Sequence, residues 1–248
     1  MDVEGLCGHP DSSRERPAGE ATTAQAAVWF RIGGLLRFLS HAETLRVCQR
    51  ACARAGIPVK HTMGFNPHPR LSLPLPRSVG VESDDELLVL WLSGEWAGVD
   101  VSGLSHEECA ARIGQALQRV LPAGIEVLRV KVSGAAVSFQ ARAASYQIRY
   151  GSNRSADFLE ALEQRVRGIL ERTSLIVERK LPGDRRARRI DVRPFIESIQ
   201  PASDGLVVRC NVTAAGSIRV GEILQLLELN TEDLAAPIRR TEVEWAAT

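Results

Sequence analysis

No apolar run in this 248-residue sequence approaches the roughly 18 residues of a membrane-crossing helix, and residues 1–26 lack the apolar core of a secretory signal. Both absences point to a cytoplasmic protein that meets no membrane. The cysteines, Cys7, Cys48, Cys52, Cys109 and Cys210, are odd in number and scattered, which excludes a disulfide framework. Without a CxxC pair or a CxxxCxxC run, the chain has no ligand set for an iron–sulfur cluster. Aromatic residues make up only 5%, and no strand carries an RNP-type aromatic pattern, so any RNA contact is expected through backbone and shape. A nucleophile elbow, a phosphate-binding glycine loop, HExxH and a paired-carboxylate motif are all missing. The expectation is therefore no cofactor and no metal. Net charge is also lacking, at +1, so an electrostatic function has to rest on where the charges sit.

What is present begins with residues 1–26, rich in Ser, Thr, Glu, Arg, Ala, Gly and Pro and without periodicity, which read as a disordered tail. Cys7 and His9 inside it are too few ligands for a metal site. Val28 to Ile32 reads as a first strand. Ser40-His41-Ala42-Glu43 has the form of a capping box, and Leu45, Cys48, Cys52 and Ala55 share one face of the helix it opens, which Gly56 and Pro58 end. Cys48 and Cys52 read as small core residues. Leu71 to Val81, with Pro74 and Pro76, fits an edge strand, and Glu86 to Leu92 a buried one. A second capping box, Ser105 to Glu108, opens a helix with Cys109, Ile113, Leu117 and Val120 on one face, followed by a strand from Ile125 to Val132. In the second half, a strand at Tyr146 to Tyr150 precedes a helix after Ser155. An extended hairpin flanks residues 180–189, and Leu206 to Val212, Ile223 to Leu229 and Ile238 to Trp245 read as strand, helix and strand. The order β-α-β-β-α-β occurs twice. The fold class expected is α+β: two ferredoxin-like halves, with antiparallel sheets and helices on one face, over residues 27–133 and 145–248, joined by a linker at 134–144.

Two stretches carry candidate chemistry. Gly64-Phe65-Asn66-Pro67-His68-Pro69 is stiff, because each residue before a proline is pushed out of helical geometry, and it presents His68 with Lys60, His61 and Arg70 close by. Arg46, Arg50 and Arg54, four apart, form a line of charge on the preceding helix. The second stretch is the hairpin, with Arg179, Lys180, Arg185, Arg186, Arg188, Arg189 and Arg193 against only Glu178, Asp184 and Asp191, a density suited to phosphate contacts.

Arg37-Phe38-Leu39-Ser40-His41, Arg46, Arg54-Ala55-Gly56, the GFNPHP stretch, Leu75-Pro76 and Gly80-Val81-Glu82-Ser83 together resemble the signature of the radical-SAM-linked family of uncharacterised proteins. The resemblance extends more thinly through Arg188 to Pro194 and Gly216 to Arg219, and departs from the pattern at Leu87-Leu88-Val89-Leu90, where members commonly carry an acidic residue. It implies a gene product encoded beside, or fused to, a radical S-adenosylmethionine enzyme, and it implies no known activity. The function expected is an accessory protein that binds RNA or another anionic macromolecule and presents it to that enzyme. Arg37, His41, Lys60, His61, Asn66, His68 and Arg70 would line one site, and Arg185, Arg186, Arg188, Arg189 and Arg193 would add anion contacts. The alternatives are a protein-docking module for the radical enzyme and a metal-free ribonuclease-like enzyme using His61 and His68 as base and acid. The ribonuclease alternative predicts that His68→Ala abolishes cleavage of RNA fragments while leaving their binding nearly intact. Loss of both together in a paired gel and filter assay would count against it.

Overall fold

Gln25–Ile32 (β1) sends Ala26, Val28, Phe30 and Ile32 to one face and Ala27 and Trp29 to the other, and all six are buried. A strand covered on both faces belongs in the middle of a sheet. In the computed structural model, which describes residues 24–93, 95–96, 99–100, 104–179 and 187–248, β1 pairs antiparallel with Glu82–Trp91 (β3) on one side and Ile125–Ser133 (β6) on the other. Helices α1 (His41–Arg54) and α2 (His106–Val120) cover the even-numbered face of β1. Cys48, Ala51 and Cys52 from the first and Cys109, Ile113 and Leu117 from the second meet Val28, Phe30, Leu88 and Leu90 in one cluster.

Both helices start on reciprocal caps. The Ser40 hydroxyl accepts from the Glu43 N–H at 3.3 Å while the Glu43 carboxylate accepts from the Ser40 N–H at 2.8 Å, and Ser105 and Glu108 repeat the arrangement. Gly56, at φ +64°, ends α1 in a conformation that a side chain would strain.

The second group of strands is Phe139–Arg149 (β7), Ile196–Ala202 (β10), Gly205–Asn211 (β11) and Arg239–Ala247 (β12). It packs with Ala156–Glu171 (α3) and Val220–Leu227 (α4) around Ile148, Leu162, Ile169, Leu206, Val208, Ile223 and Leu227. Two-residue strands at Leu71–Ser72 (β2), Glu95–Trp96 (β4) and Val99–Asp100 (β5), and the pair Ile176–Arg179 (β8) and Arg188–Asp191 (β9), complete the described elements. The fold is α+β with a mostly antiparallel sheet, in the order β10-β11-β7-β12-β3-β1-β6, with β2 added on β3. The two groups meet in a single short parallel pairing, Arg239 with Glu82 and Arg240 with Ser83. Beyond that seam the sheet curls. Trp29 of β1 and Phe139 of β7 stand three places apart in strand order, yet their rings touch edge to face at 6.0 Å, over a layer that includes Leu87, Val89 and Trp245.

Several boundaries differ from the sequence reading, each for an identifiable reason. β1 begins at Gln25, inside the stretch taken as tail, and residues 1–23, with Cys7 and His9, lie outside the described residues. Residues 139–144, taken as linker, are the first half of β7, because small residues such as Ala143 and Ala144 are what the tight β7–β12 packing admits. The edge strand expected over Leu71 to Val81 shrinks to two residues, since Pro74 and Pro76 have no N–H to pair. β10 had no counterpart in the reading, as Glu197, Gln200 and Pro201 break its alternation, which an edge strand tolerates. α4 starts at Val220 rather than Ile223, fixed by the Glu222 carboxylate accepting the Arg219 N–H at 2.8 Å.

Ser40→Ala removes one half of the first cap and is expected to destabilise the protein by about 0.5–2 kcal/mol, read as a lower urea midpoint at unchanged slope.

Candidate functional site

The GFNPHP stretch is the tip of a narrow two-stranded excursion from the end of β3. After α1, Val59 bridges Leu92, the Lys60 N–H donates to the Trp91 carbonyl at 2.7 Å, and Arg70 returns by donating its N–H to Lys60 at 2.6 Å and accepting from Trp91 at 3.1 Å. One step further out His61 bridges Pro69. Thr62 then clamps the neck, its N–H donating to the His68 carbonyl at 2.8 Å and its hydroxyl accepting the His68 N–H at 3.0 Å. Residues 62–68 beyond the neck are exposed, and Met63 and Phe65 stand clear of the protein at 99% and 112% relative exposure. Gly64, at φ +134°, lets the chain turn there, and Pro67 and Pro69 stiffen the return. The Arg70 guanidinium lies 4.7 Å over the Trp91 ring.

The seven residues expected to line one site fall into two places. Lys60, His61, Asn66, His68 and Arg70 belong to the excursion at the Trp91 end of β3. Arg37 sits in a 3-10 turn (Gly34–Phe38) at the Glu82 end, where its carbonyl accepts from Gly80 at 2.8 Å and its guanidinium lies 4.3 Å over Phe38. His41 begins α1 beside that turn. The ends of β3 are about 30 Å apart at roughly 3.3 Å per residue, so one ligand-sized site cannot include both groups. Within the excursion, the register places His61 opposite Pro69 and Thr62 opposite His68, so strand alternation turns the two imidazoles to opposite faces of the ribbon.

The acidic residues are as informative as the basic ones. Residues 44–81 contain no Asp or Glu, while Arg46, Arg50, Arg54 and Arg70 are all exposed. The C-terminal end of the α1 arginine line leads directly into the excursion through Gly56 and Lys60. Along this stretch of chain the cations meet no carboxylate, and Glu43, one turn before Arg46 on α1, is the acid that borders it.

The second expected anion site is depleted by the fold. Arg193 donates to the carbonyls of Arg172, Leu170 and Ile196 at 2.8–3.0 Å, which satisfies the C-terminal end of α3 and removes this residue from the anion-binding set. Arg179 forms a two-pronged pair with Glu222 at 2.7 and 2.8 Å, both nearly buried. Burial alone would raise the Glu222 carboxyl, but the Arg179 fork and the Arg219 N–H hold it below the usual carboxylate range. Asp191 likewise lies below its usual range because it accepts the N–H groups of Leu175 and Arg193. Arg188 and Arg189 are exposed on β9, and Arg185 and Arg186 lie outside the described residues.

A buried charge cluster at the seam had no place in the sequence reading. Arg240, fully buried, donates to Glu86 at 2.5 Å, to Ser83 at 3.4 Å and to the Pro76 carbonyl at 3.4 Å, and it also hydrogen-bonds Tyr146. Arg77 shares the same Glu86 oxygen at 3.7 Å and donates to the carbonyls of Val81, Arg37 and Leu39. Burial pushes Arg77 below its ordinary value. For Arg240 burial acts in the same direction, but Glu86 and Tyr146 overcome it and raise the guanidinium above its ordinary value. The one hint in the sequence was a carboxylate, Glu86, opening an otherwise apolar strand.

Over this cluster an open groove of about 610 Å³ is lined by Arg37, Phe38, Val79, Gly80, Leu224 and Ile238 among others, and so by both strand groups. Among the described residues, no group of three or more His, Cys, Asp or Glu side chains is placed to hold a metal ion, and no helix is long and apolar enough to cross a membrane. Cys48 and Cys52 are buried in the core, and burial pushes both thiols up to about 12, which makes them poor ligands and poor nucleophiles at neutral pH.

A family model described as "Uncharacterized protein conserved in bacteria (DUF2344)" matches residues 25–225. No curated protein matches the sequence. Among solved structures, one described as "Crystal Structure of an Unknown Protein from Galdieria sulphuraria" aligns over 91% of this chain and 98% of its own at 10% identity, with a TM-score of 0.25, a likeness too slight to bear on fold or function.

Glu86→Leu leaves two buried guanidinium groups without a counter-charge and is expected to cost about 3–5 kcal/mol of unfolding free energy. Glu86→Leu combined with Arg240→Met should recover much of that loss, and urea titration of both variants checks the pair.

Proposed function

We propose, for a chain that belongs to this family of uncharacterised proteins conserved in bacteria, that it is an accessory protein which binds RNA or another anionic macromolecule through the α1 arginine line and the excursion. The observation that carries this reading is a run of exposed cations: Arg46, Arg50, Arg54 and Arg70 are exposed in a stretch of chain, residues 44–81, that holds no carboxylate. A solvated helix face is usually mixed in sign, because unlike charges four apart stabilise it and like charges repel. A line of like charge is tolerated where a polyanion is to be met. That the polyanion is presented to a radical S-adenosylmethionine enzyme rests on the resemblance of residues 37–86 to the radical-SAM-linked signature, and a cytoplasmic setting on the lack of a membrane-length apolar run and of a secretory signal in the sequence.

The fold reading that accompanies it is two ferredoxin-like halves. Supporting it are the two neighbour orders, β2-β3-β1-β6 and β10-β11-β7-β12, which repeat one pattern of four strands and two helices, the first with its edge strand cut short.

A docking module for the enzyme is the second reading, and the groove favours it. Phe38 and Val79 are more than half exposed there, beside Leu224 and Ile238. A ribonuclease-like role for His61 and His68 is disfavoured by their placement on opposite faces of the ribbon.

Ionic strength separates binding from docking. Bulk tRNA should bind with an affinity that falls steeply with salt, and Arg46, Arg50 and Arg54 changed together to Gln should flatten the log–log slope by about 0.7–0.9 for each phosphate contact removed. Filter binding over a salt series measures it. Absence of RNA binding at low salt would remove this reading in favour of docking.

A further inference from the structure

The low aromatic content argues against a sheet that stacks bases, and it does not bear on a single ring held out on a loop. Phe65 is such a ring. Its whole surface is in water, as is that of Met63 two residues before it, and two fully exposed apolar side chains on one loop do nothing for folding. The loop that carries them is held in shape by the Thr62 to His68 clamp, by Pro67 and Pro69, and by the ladder from Lys60 and Arg70 to Trp91. A ring presented this way loses little conformational freedom when something covers it. The surroundings are cationic, with Arg70 at the base of the excursion and the Arg50 and Arg54 end of α1 leading into it.

We propose that Phe65 is a stacking site for an unpaired nucleobase, so that the polyanion met by this surface is single-stranded nucleic acid; the inference rests on the anion-binding reading above. Any base offers a flat π-face to an aromatic ring, while phosphates follow a line of cations, and here the ring follows the line along the chain, eleven residues after Arg54. The α1 arginines extend over about 12 Å at 1.5 Å per residue, and the tip stands at most about 14 Å beyond the His61 to Pro69 bridge. A linear array of charge ending in one ring suits a strand with phosphates on one side and splayed bases on the other. The Arg70 guanidinium, 4.7 Å over the Trp91 ring, adds a second planar group at the base of the excursion. An anionic membrane would favour a broad apolar face, which two side chains do not supply. In a duplex the bases stay stacked on one another and out of reach of the ring.

The test uses the full chain and four probes: a labelled single strand of about 12 nucleotides, the same strand with abasic positions, its duplex, and vesicles containing phosphatidylserine. Phe65→Ala is expected to weaken single-strand binding about 5- to 150-fold, to leave the duplex affinity and salt slope unchanged, and to abolish the difference between intact and abasic strands. Phe65→Trp should restore binding and change its indole emission when the strand is added. Since the side chain touches nothing in the fold, unfolding midpoints of both variants should equal that of the parent. Equal binding of the intact strand by Phe65→Ala and parent, with loss in Arg50→Ala/Arg54→Ala, would overturn stacking and leave the anion-binding reading standing. Loss confined to the vesicles would overturn it in favour of a membrane surface. Failure of the parent to bind any nucleic acid would overturn both readings.

Discussion

Glu86 is the constraint on which the rest of this structure depends. One buried carboxylate faces two guanidinium groups, Arg240 from the last strand and Arg77 from the segment before β3, at the point where the two strand groups touch through only two paired residues. Removing such charges from water costs several kcal/mol per ion, and the cost is met only if every donor finds a partner. Here the partners come from different parts of the chain. Ser83, Tyr146 and the carbonyls of Pro76, Val81, Arg37 and Leu39 are each fixed by the same cluster. A hydrophobic seam of the same size would hold as well and specify less about orientation. The exposed pairs around it, Arg239 with Glu82 and Asp84, extend the same seam to the surface with smaller individual effect.

The seam also sets where function can sit. It anchors the Glu82 end of β3, with the 3-10 turn that carries Arg37 and the groove over Phe38, while the opposite end of the strand launches the excursion. The groove at one end of β3 and the excursion at the other are thereby about 30 Å apart along the central strand.

Arginine shows how little a residue type says alone. Arg193 closes a helix terminus, Arg179 grips Glu222, Arg77 and Arg240 are buried in the seam, and Arg46, Arg50 and Arg54 face water. In the sequence these are simply basic residues. What distinguishes them is the presence of a carboxylate or a free carbonyl within reach, and that depends on strands that are distant in the chain. The hairpin is the denser in charge, yet Arg179 and Arg193 among its described residues are tied into the fold, whereas Arg46, Arg50 and Arg54 of the sparser α1 line are exposed.

The sequence by itself determined what depends on near neighbours. Both capping boxes, the apolar faces of α1 and α2, the glycine stop at Gly56 and the buried strand after Glu86 follow from spacings of three to eight residues, and so does the stiffness of the GFNPHP loop. The α+β class, and the element order apart from β10, came from the same local signals. Only tertiary structure decided that Glu86 meets Arg77 and Arg240, that Arg37 and His68 stand at opposite ends of one strand, that His61 and His68 turn apart, and that Phe65 is left in water. The reason is that burial and charge pairing are sums over contacts between segments distant in sequence. No local pattern encodes whether an aromatic ring on a stiff loop is covered by the rest of the chain or held clear of it.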